Sequence, residues 1–225
     1  MWDELLQIIA TSLKIAFLST VLVMITSFFL ANFFVSKNGF WVRALEIFTY
    51  LPLALPPVAL GYMLLAVFGR KTFLGHLLHQ HLAVDLAFSA AGAVLAAFMV
   101  SLGIGVRACR VALENIDHSL LEMARLCGAS PWQIIFYIKL PLCRRALLGG
   151  AILVFARSMG EFGATMVFAG NTLGETRTLA LAIWTDMQMP NKSGQAFWLV
   201  MITVLIAGFA LIFSEVILRP RKKSM

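Results

Sequence analysis

Leu120–Pro141 reads LLEMARLCGASPWQIIFYIKLP, a polar, glycine-interrupted stretch lodged between long apolar runs. Ser119 precedes Glu122 by three residues, and Ser130 precedes Gln133 by three with Pro131 between them. Both spacings are capping boxes, in which a hydroxyl and a longer polar side chain satisfy each other's end-of-helix amides, and Pro131 suits a first helical position. Gly128 can take the left-handed conformation that stops one helix and turns the chain into the next. The stretch therefore predicts two short helices joined by a sharp bend. Ala124 allows a partner to approach closely, while Leu121, Trp132, Ile135 and Phe136 offer apolar surface. Two helices about a turn also describe a DNA-reading hairpin. From Glu114 to Lys139, however, the basic Arg125 and Lys139 face three acids, Glu114, Asp117 and Glu122, so the cationic face that phosphate binding needs is missing. A plain linker between spans is the other reading of the spacing alone.

The flanks set the solvent. With 60% apolar residues and a mean hydropathy of +0.88, most of the chain is too greasy for water. Ile15 to Val35, Ile47 to Gly69, Leu86 to Val106 and Ser193 to Ser214 carry no charge, and each is long enough to cross about 30 Å of hydrocarbon as helix. A fifth run, Ala146 to Gly174, is interrupted only by Arg157 and Glu161. In lipid each amide needs an internal partner, and the runs lack barrel alternation, so helices are expected. The expectation is an all-α integral membrane protein, one domain over 1–225, with about five transmembrane helices near 13–35, 46–69, 86–106, 146–170 and 195–217. The segments 36–46, 107–145 and 215–225 hold twelve Lys and Arg, against four in 70–85 and 175–192. The positive-inside bias then makes 107–145 a cytoplasmic loop, with the N-terminus outside and the C-terminus inside, ending in Arg219, Arg221, Lys222 and Lys223. The start, MWDE, lacks the basic opening of a cleaved signal peptide, so the first span should be retained.

Smaller features fit this frame. Cys109, Cys127 and Cys143 show neither disulfide nor zinc spacing and read as small packing residues. Leu51 to Pro57, LPLALPP, removes amide donors from the second span; it is either a kink that fits neighbouring helices or part of a watery path. Leu74, Leu77, Leu78 and Leu82 predict a short outer helix on the membrane face, and His76, His79 and His81 do not converge as metal ligands on it. LALAIWTDM, Leu179 to Met187, is too short to span and is expected at the outer surface, with Trp184 at the interface. Arg157 lies near mid-span, where a charge costs about 2.5–3.5 kcal/mol, so it must face protein or water. Glu161 sits one turn on and partly neutralises it, Ser158 and Thr165 extend the polar stripe, and Gly160 and Gly163 keep the helix slim. Helix packing and lining of a path are both open to this pair.

Glu122 and Ala124 are followed after three residues by Gly128, and after nine more by Ile138, Leu140 and Pro141. This resembles the cytoplasmic coupling loop of bacterial ABC-importer permeases, E-A-A, three residues, G, nine residues, I-x-L-P, with Met123 replacing the second small residue. Ala156 to Ala164, ARSMGEFGA, resembles the A-R-x-x-G-E-F-G-A segment of molybdate permeases, and LPLALPPVALGY, Leu51 to Tyr62, is similar to that family's second-span signature. The resemblance implies that Glu122, Ala124, Gly128, Ala129, Trp132, Ile138, Leu140 and Pro141 couple to a separate cytoplasmic ABC ATPase dimer, which carries the ATP and Mg. It implies a homodimer in the bacterial inner membrane, fed with a tetrahedral oxyanion by a periplasmic or extracellular molybdate-binding protein. Pro56, Pro57, Arg157, Ser158, Glu161 and Thr165 become the candidate pathway or packing residues. No cofactor, metal or nucleic acid is expected on this chain, which has no phosphate-cradling G-x-x-x-x-G-K-[ST] loop and no nucleophile, base and orienter of an enzyme. Tungstate or sulfate permeases are the near alternatives; a self-sufficient secondary transporter or channel is the alternative of another class.

Overall fold

The structure, a computed structural model, describes residues 2–82, 84–190 and 193–218. The basic C-terminal residues Arg219, Arg221, Lys222 and Lys223 lie outside them. Among the described residues all regular structure is helical: α1 (Trp2–Ser36), α2 (Phe40–Ala54), α3 (Pro57–Phe68), α4 (Phe73–Leu82), α5 (Ala90–Glu114), α6 (His118–Leu126), α7 (Pro131–Gln133), a π-helical turn (Ile134–Lys139), α8 (Leu140–Met159), α9 (Gly163–Phe168), α10 (Leu179–Met187) and α11 (Ser193–Leu218).

Three of these helices, α1, α5 and α11, are long and apolar enough to cross a membrane, and a fourth crossing results if α2 and α3 count as one span. That second span is not the single helix the hydropathy suggests. Its halves are bent by 116° at the break after Ala54, because Pro56 and Pro57 cannot donate to the helical ladder and Pro57 instead opens a new helix. The run expected at 146–170 falls on α8 and α9, which are separated by Gly160 to Phe162. Gly160 is thus a helix end rather than a slim mid-helix position, whereas Gly163 does serve close packing.

α1 and α5 form the spine. Their seam uses small side chains, which let helix backbones approach in the absence of a hydrophobic drive between helices in lipid. A Cβ on Gly105 would lie 2.5 Å from both Ser27 Oγ and Val23 Cγ1, and Ala31, Cys109 and Ala112 share one buried cluster. α8 closes on this seam, where a Cβ on Gly150 would stand 2.8 Å from the Ala108 methyl. At the far end Ile8 and Ala16 of α1 are buried with Met159, Leu179, Ala182 and Leu199. α10 is embedded among the other helices, and only Trp184 of its large side chains is exposed before Met187. The expected short helix is present as α4, with His79 Nδ1 3.1 Å from Asp85 Oδ1 and Arg70 beside them.

Candidate functional site

Two places gather the residues singled out by sequence. The first is the hinge from Asp117 to Pro141. α6 starts on Asp117, whose carboxylate accepts from the Ser119 amide at 2.9 Å. Ser119 is thus inside the helix and its expected box with Glu122 does not form, because the neighbouring aspartate takes the cap. Hydrogen bonding from the Ser119 side chain, then from its amide, holds the Asp117 carboxyl below the usual aspartate value. α6 ends in a Schellman motif. Gly128 stands at φ 81°, its amide donates to Arg125 O at 2.9 Å, and the Ala129 amide donates to Ala124 O at 3.0 Å. The second box forms as expected: Ser130 N donates to Gln133 Oε1 at 2.7 Å, Gln133 N donates to Ser130 Oγ at 3.3 Å, and Pro131 occupies the first turn.

The hinge has an inward and an outward face. Leu121 and Ile134 are buried with Phe28, Leu113, Ile116 and Cys143, and Ala124, Ala129, Ile135 and Ile138 pack beside them. Leu121 and Ile135 consequently fasten the hinge to its own bundle instead of offering surface to a partner. The outward face keeps Glu122, Met123, Leu126, Trp132, Phe136 and Tyr137 exposed, with Trp132 62% open and stacked on Phe136 at 6.1 Å. Leu140 and Pro141 stay on the exposed side as α8 begins. The crook of the bend forms an open concavity of about 380 Å³ lined by Cys127, Gly128, Ala129, Gln133, Tyr137 and Ile138. Cys127 is exposed here, whereas Cys109 and Cys143 are the buried packing residues expected.

The second place is where the two broken helices meet. A Cβ on Gly61 of α3 would fall 2.7 Å from Ala164 O, and one on Gly163 of α9 would fall 3.0 Å from Pro57 Cβ. Pro57 therefore joins the site, while Pro56 is exposed at the bend. Arg157 Nη1 lies 2.9 Å from Glu161 Oε2, and the other carboxylate oxygen accepts from the Ala164 amide at 2.9 Å. Glu161 thus neutralises the arginine and caps the restarted helix at once, which makes its burial tolerable. Arg157 remains about one-third open (32%), with further donors of its planar fork able to meet an anion. Ser158 turns away to share a buried hydrogen bond with Ser101 of α5 at 3.1 Å, and Thr165 is buried in α9.

Some contacts carry no signal in the sequence. Trp184 of α10 covers Phe162 beside the break, with ring centroids 5.6 Å apart. Glu46 of α2 binds Arg110 of α5, which also reaches Glu114 at 2.7 Å. Lys139 is buried, its ammonium 2.5 Å from Asn32 Oδ1 of α1, and burial followed by the charge of Arg125 pushes it below the usual lysine value. Apart from the Arg110–Glu114 pair within α5, each joins residues far apart in the chain.

Comparison with known proteins places this geometry. The chain is 38% identical over 214 residues to the molybdenum transport system permease protein ModB of Haemophilus influenzae, covering 95% of this chain and 93% of that one. It is 40% identical to ModB of Escherichia coli, covering 93% and 91%. Among solved structures, the inward-facing MetNI methionine ABC transporter matches with a TM-score of 0.75 at 15% identity, over 97% of this chain and 96% of that one. A bacterial alginate ABC transporter matches with a TM-score of 0.75 at 15% identity, over 94% and 77%. These two show the shared fold. Residues 23–224 match the family described as the binding-protein-dependent transport system inner membrane component, and with such relatives along nearly its whole length the chain is a member of that family of ABC-transporter permease subunits.

Proposed function

We propose that this chain forms the membrane path of an ATP-driven molybdate importer, as a homodimer bearing two cytoplasmic ATPase subunits and fed by an external molybdate-binding protein. The observation that carries the reading is the hinge: a Schellman turn and a capping box hold Glu122, Trp132 and Phe136 outward on a base fastened by Leu121 and Ile134. Such a lever suits a groove on a separate motor. Glu122, Ala124, Gly128, Ala129, Trp132, Ile138, Leu140 and Pro141 make up the coupling element, Ala124, Ala129 and Ile138 from its inner side. ATP and Mg belong to the partner. The substrate reading rests on the ModB relatives, which are molybdenum transport permeases.

In this reading α1, α2–α3, α5, α8–α9 and α11 are the five crossings, with the N-terminus outside and the hinge in the cytoplasm. Five crossings enclose a gated path poorly, and a symmetric pair supplies one lever per ATPase. The break at Gly160 to Phe162 faces that path with Arg157 already paired to Glu161, and conduction favours such a compensated, weakly gripping cation over a dense cage.

Vesicles containing this chain, with and without the ATPase subunit and binding protein, test the proposal by uptake of molybdate, tungstate and sulfate. ATP-dependent molybdate uptake that needs all three proteins is expected; ATP-independent flux through the chain alone would make it a channel or secondary transporter. Arg157→Ala should lower that uptake, and retained protein level and thermal stability would assign Arg157 to the path rather than to helix packing.

A further inference from the structure

We infer that Lys139 and Asn32 form a transmission joint, through which the hinge drives α1 as a second lever alongside α8. The inference rests on the importer reading and adds positioning residues to it.

Pro141 is the local cause. It has no amide hydrogen, and in an α-helix its ring would crowd the carbonyl of Tyr137. The chain answers with the π-helical turn Ile134–Lys139, closed by Leu140 N donating to Ile135 O five residues back. Such a widened turn shifts every side chain around the helix relative to an α-helical path and is common at functional places. Its last residue, Lys139, is consequently only 7% exposed, although it lies in a segment whose neighbours Tyr137 and Leu140 are open.

A buried ammonium with a neutral amide as partner is a poor way to stabilise a fold, since an apolar residue of the same volume would avoid the desolvation. What the bond does is join two elements. Lys139 Nζ donates to Asn32 Oδ1 across 107 residues of sequence. From Asn32, α1 runs unbroken for roughly 30 Å to Ser12. There the Ser12 hydroxyl accepts from the Leu179 amide of α10 at 2.8 Å, and Ala16 is buried with Met159, two residues beyond Arg157. One helix thus touches the hinge at one end and the broken-helix site at the other.

The test uses the full complex of this chain, the ATPase and the binding protein in proteoliposomes, measuring ATP hydrolysis and radiolabelled molybdate uptake together. Lys139→Met and Asn32→Ala should assemble and hydrolyse ATP while uptake per ATP falls about fivefold or more, the scale of a typical coupling between sites. Lys139→Arg and Asn32→Asp keep a donor facing an acceptor and should restore the ratio. A wild-type ratio in Lys139→Met and Asn32→Ala would show that the bond carries none of the motion and overturn the joint. So would loss of assembly in both, which makes the bond structural, or an Asn32→Asp variant as uncoupled as Asn32→Ala. A wild-type complex without ATP-driven uptake would instead overturn the importer reading beneath it.

Discussion

Gly128 holds the hinge through its backbone alone. A Cβ there would meet nothing within 4 Å, so crowding plays no part, and Gly128→Ala should cost the left-handed strain of about 1–2 kcal/mol. Gly128→Val is steeper, because a branched side chain tolerates φ 81° least. The expected outcome for Gly128→Val is normal membrane insertion, faster hydrogen exchange at the Gly128 and Ala129 amides, and impaired ATP-driven uptake; wild-type uptake would contradict the hinge. Asp117 gives a pH signature. Its carboxyl titrates lower in the fold than its ordinary value of 3.8, so its contribution to α6 is complete above that value and is lost as pH falls through the folded one. Hydrogen exchange at the Ser119 amide, corrected for its intrinsic pH dependence, should show protection fading over that acid window, and Asp117→Ala should abolish the dependence.

The crossing of α3 and α9 is packed closely against backbone. Gly61→Ala puts a methyl 2.7 Å from a backbone oxygen of α9 that cannot rotate away, and overpacking of this kind costs about 1–3 kcal/mol. Thermal unfolding in detergent should therefore fall for Gly61→Ala and stay level or rise for Gly208→Ala, where a Cβ meets nothing within 4 Å. Equal stability of the two variants would remove the close crossing from the account. The same elements show what sequence can and cannot convey. The hinge was legible because Gly128, Ser130, Gln133 and Pro131 act on neighbours within a few residues. The break in the second span was foreshadowed by Pro56 and Pro57, which lack donors wherever they stand. The break after Met159 has only Gly160 as a local sign, and it is Pro57 and Val58 against Gly163, with Glu161 on the Ala164 amide, that settle it. Ser119 carries a capping hydroxyl, but the structure starts the helix on Asp117 two residues earlier, and Leu121 carries the same apolar character whether it faces a partner or its own bundle. α10 is too short to cross lipid, but the length of a nine-residue helix says nothing of its burial against other helices.

At the scale of the whole molecule, orientation and docking meet at one native atom. Cys127 is exposed in the crook of the hinge, while Cys109 and Cys143 are buried, so a thiol reagent should report the hinge almost alone. If the hinge is cytoplasmic and the N-terminus external, a membrane-impermeant maleimide should leave Cys127 unmodified in sealed right-side-out vesicles and label it after permeabilisation. Trp2→Cys, at a position 72% exposed on α1, should label without permeabilisation, because roughly 50 Å of continuous helix carries the start of the chain beyond the opposite face of the bilayer. Adding the ATPase subunits to permeabilised vesicles should then slow Cys127 labelling and leave that at the introduced Cys of Trp2→Cys unaffected, since the concavity beside Gly128 lies in the surface assigned to the motor. Labelling of Cys127 from outside sealed vesicles would reverse the topology, and an unchanged rate with the ATPase bound would move the docking surface away from the hinge.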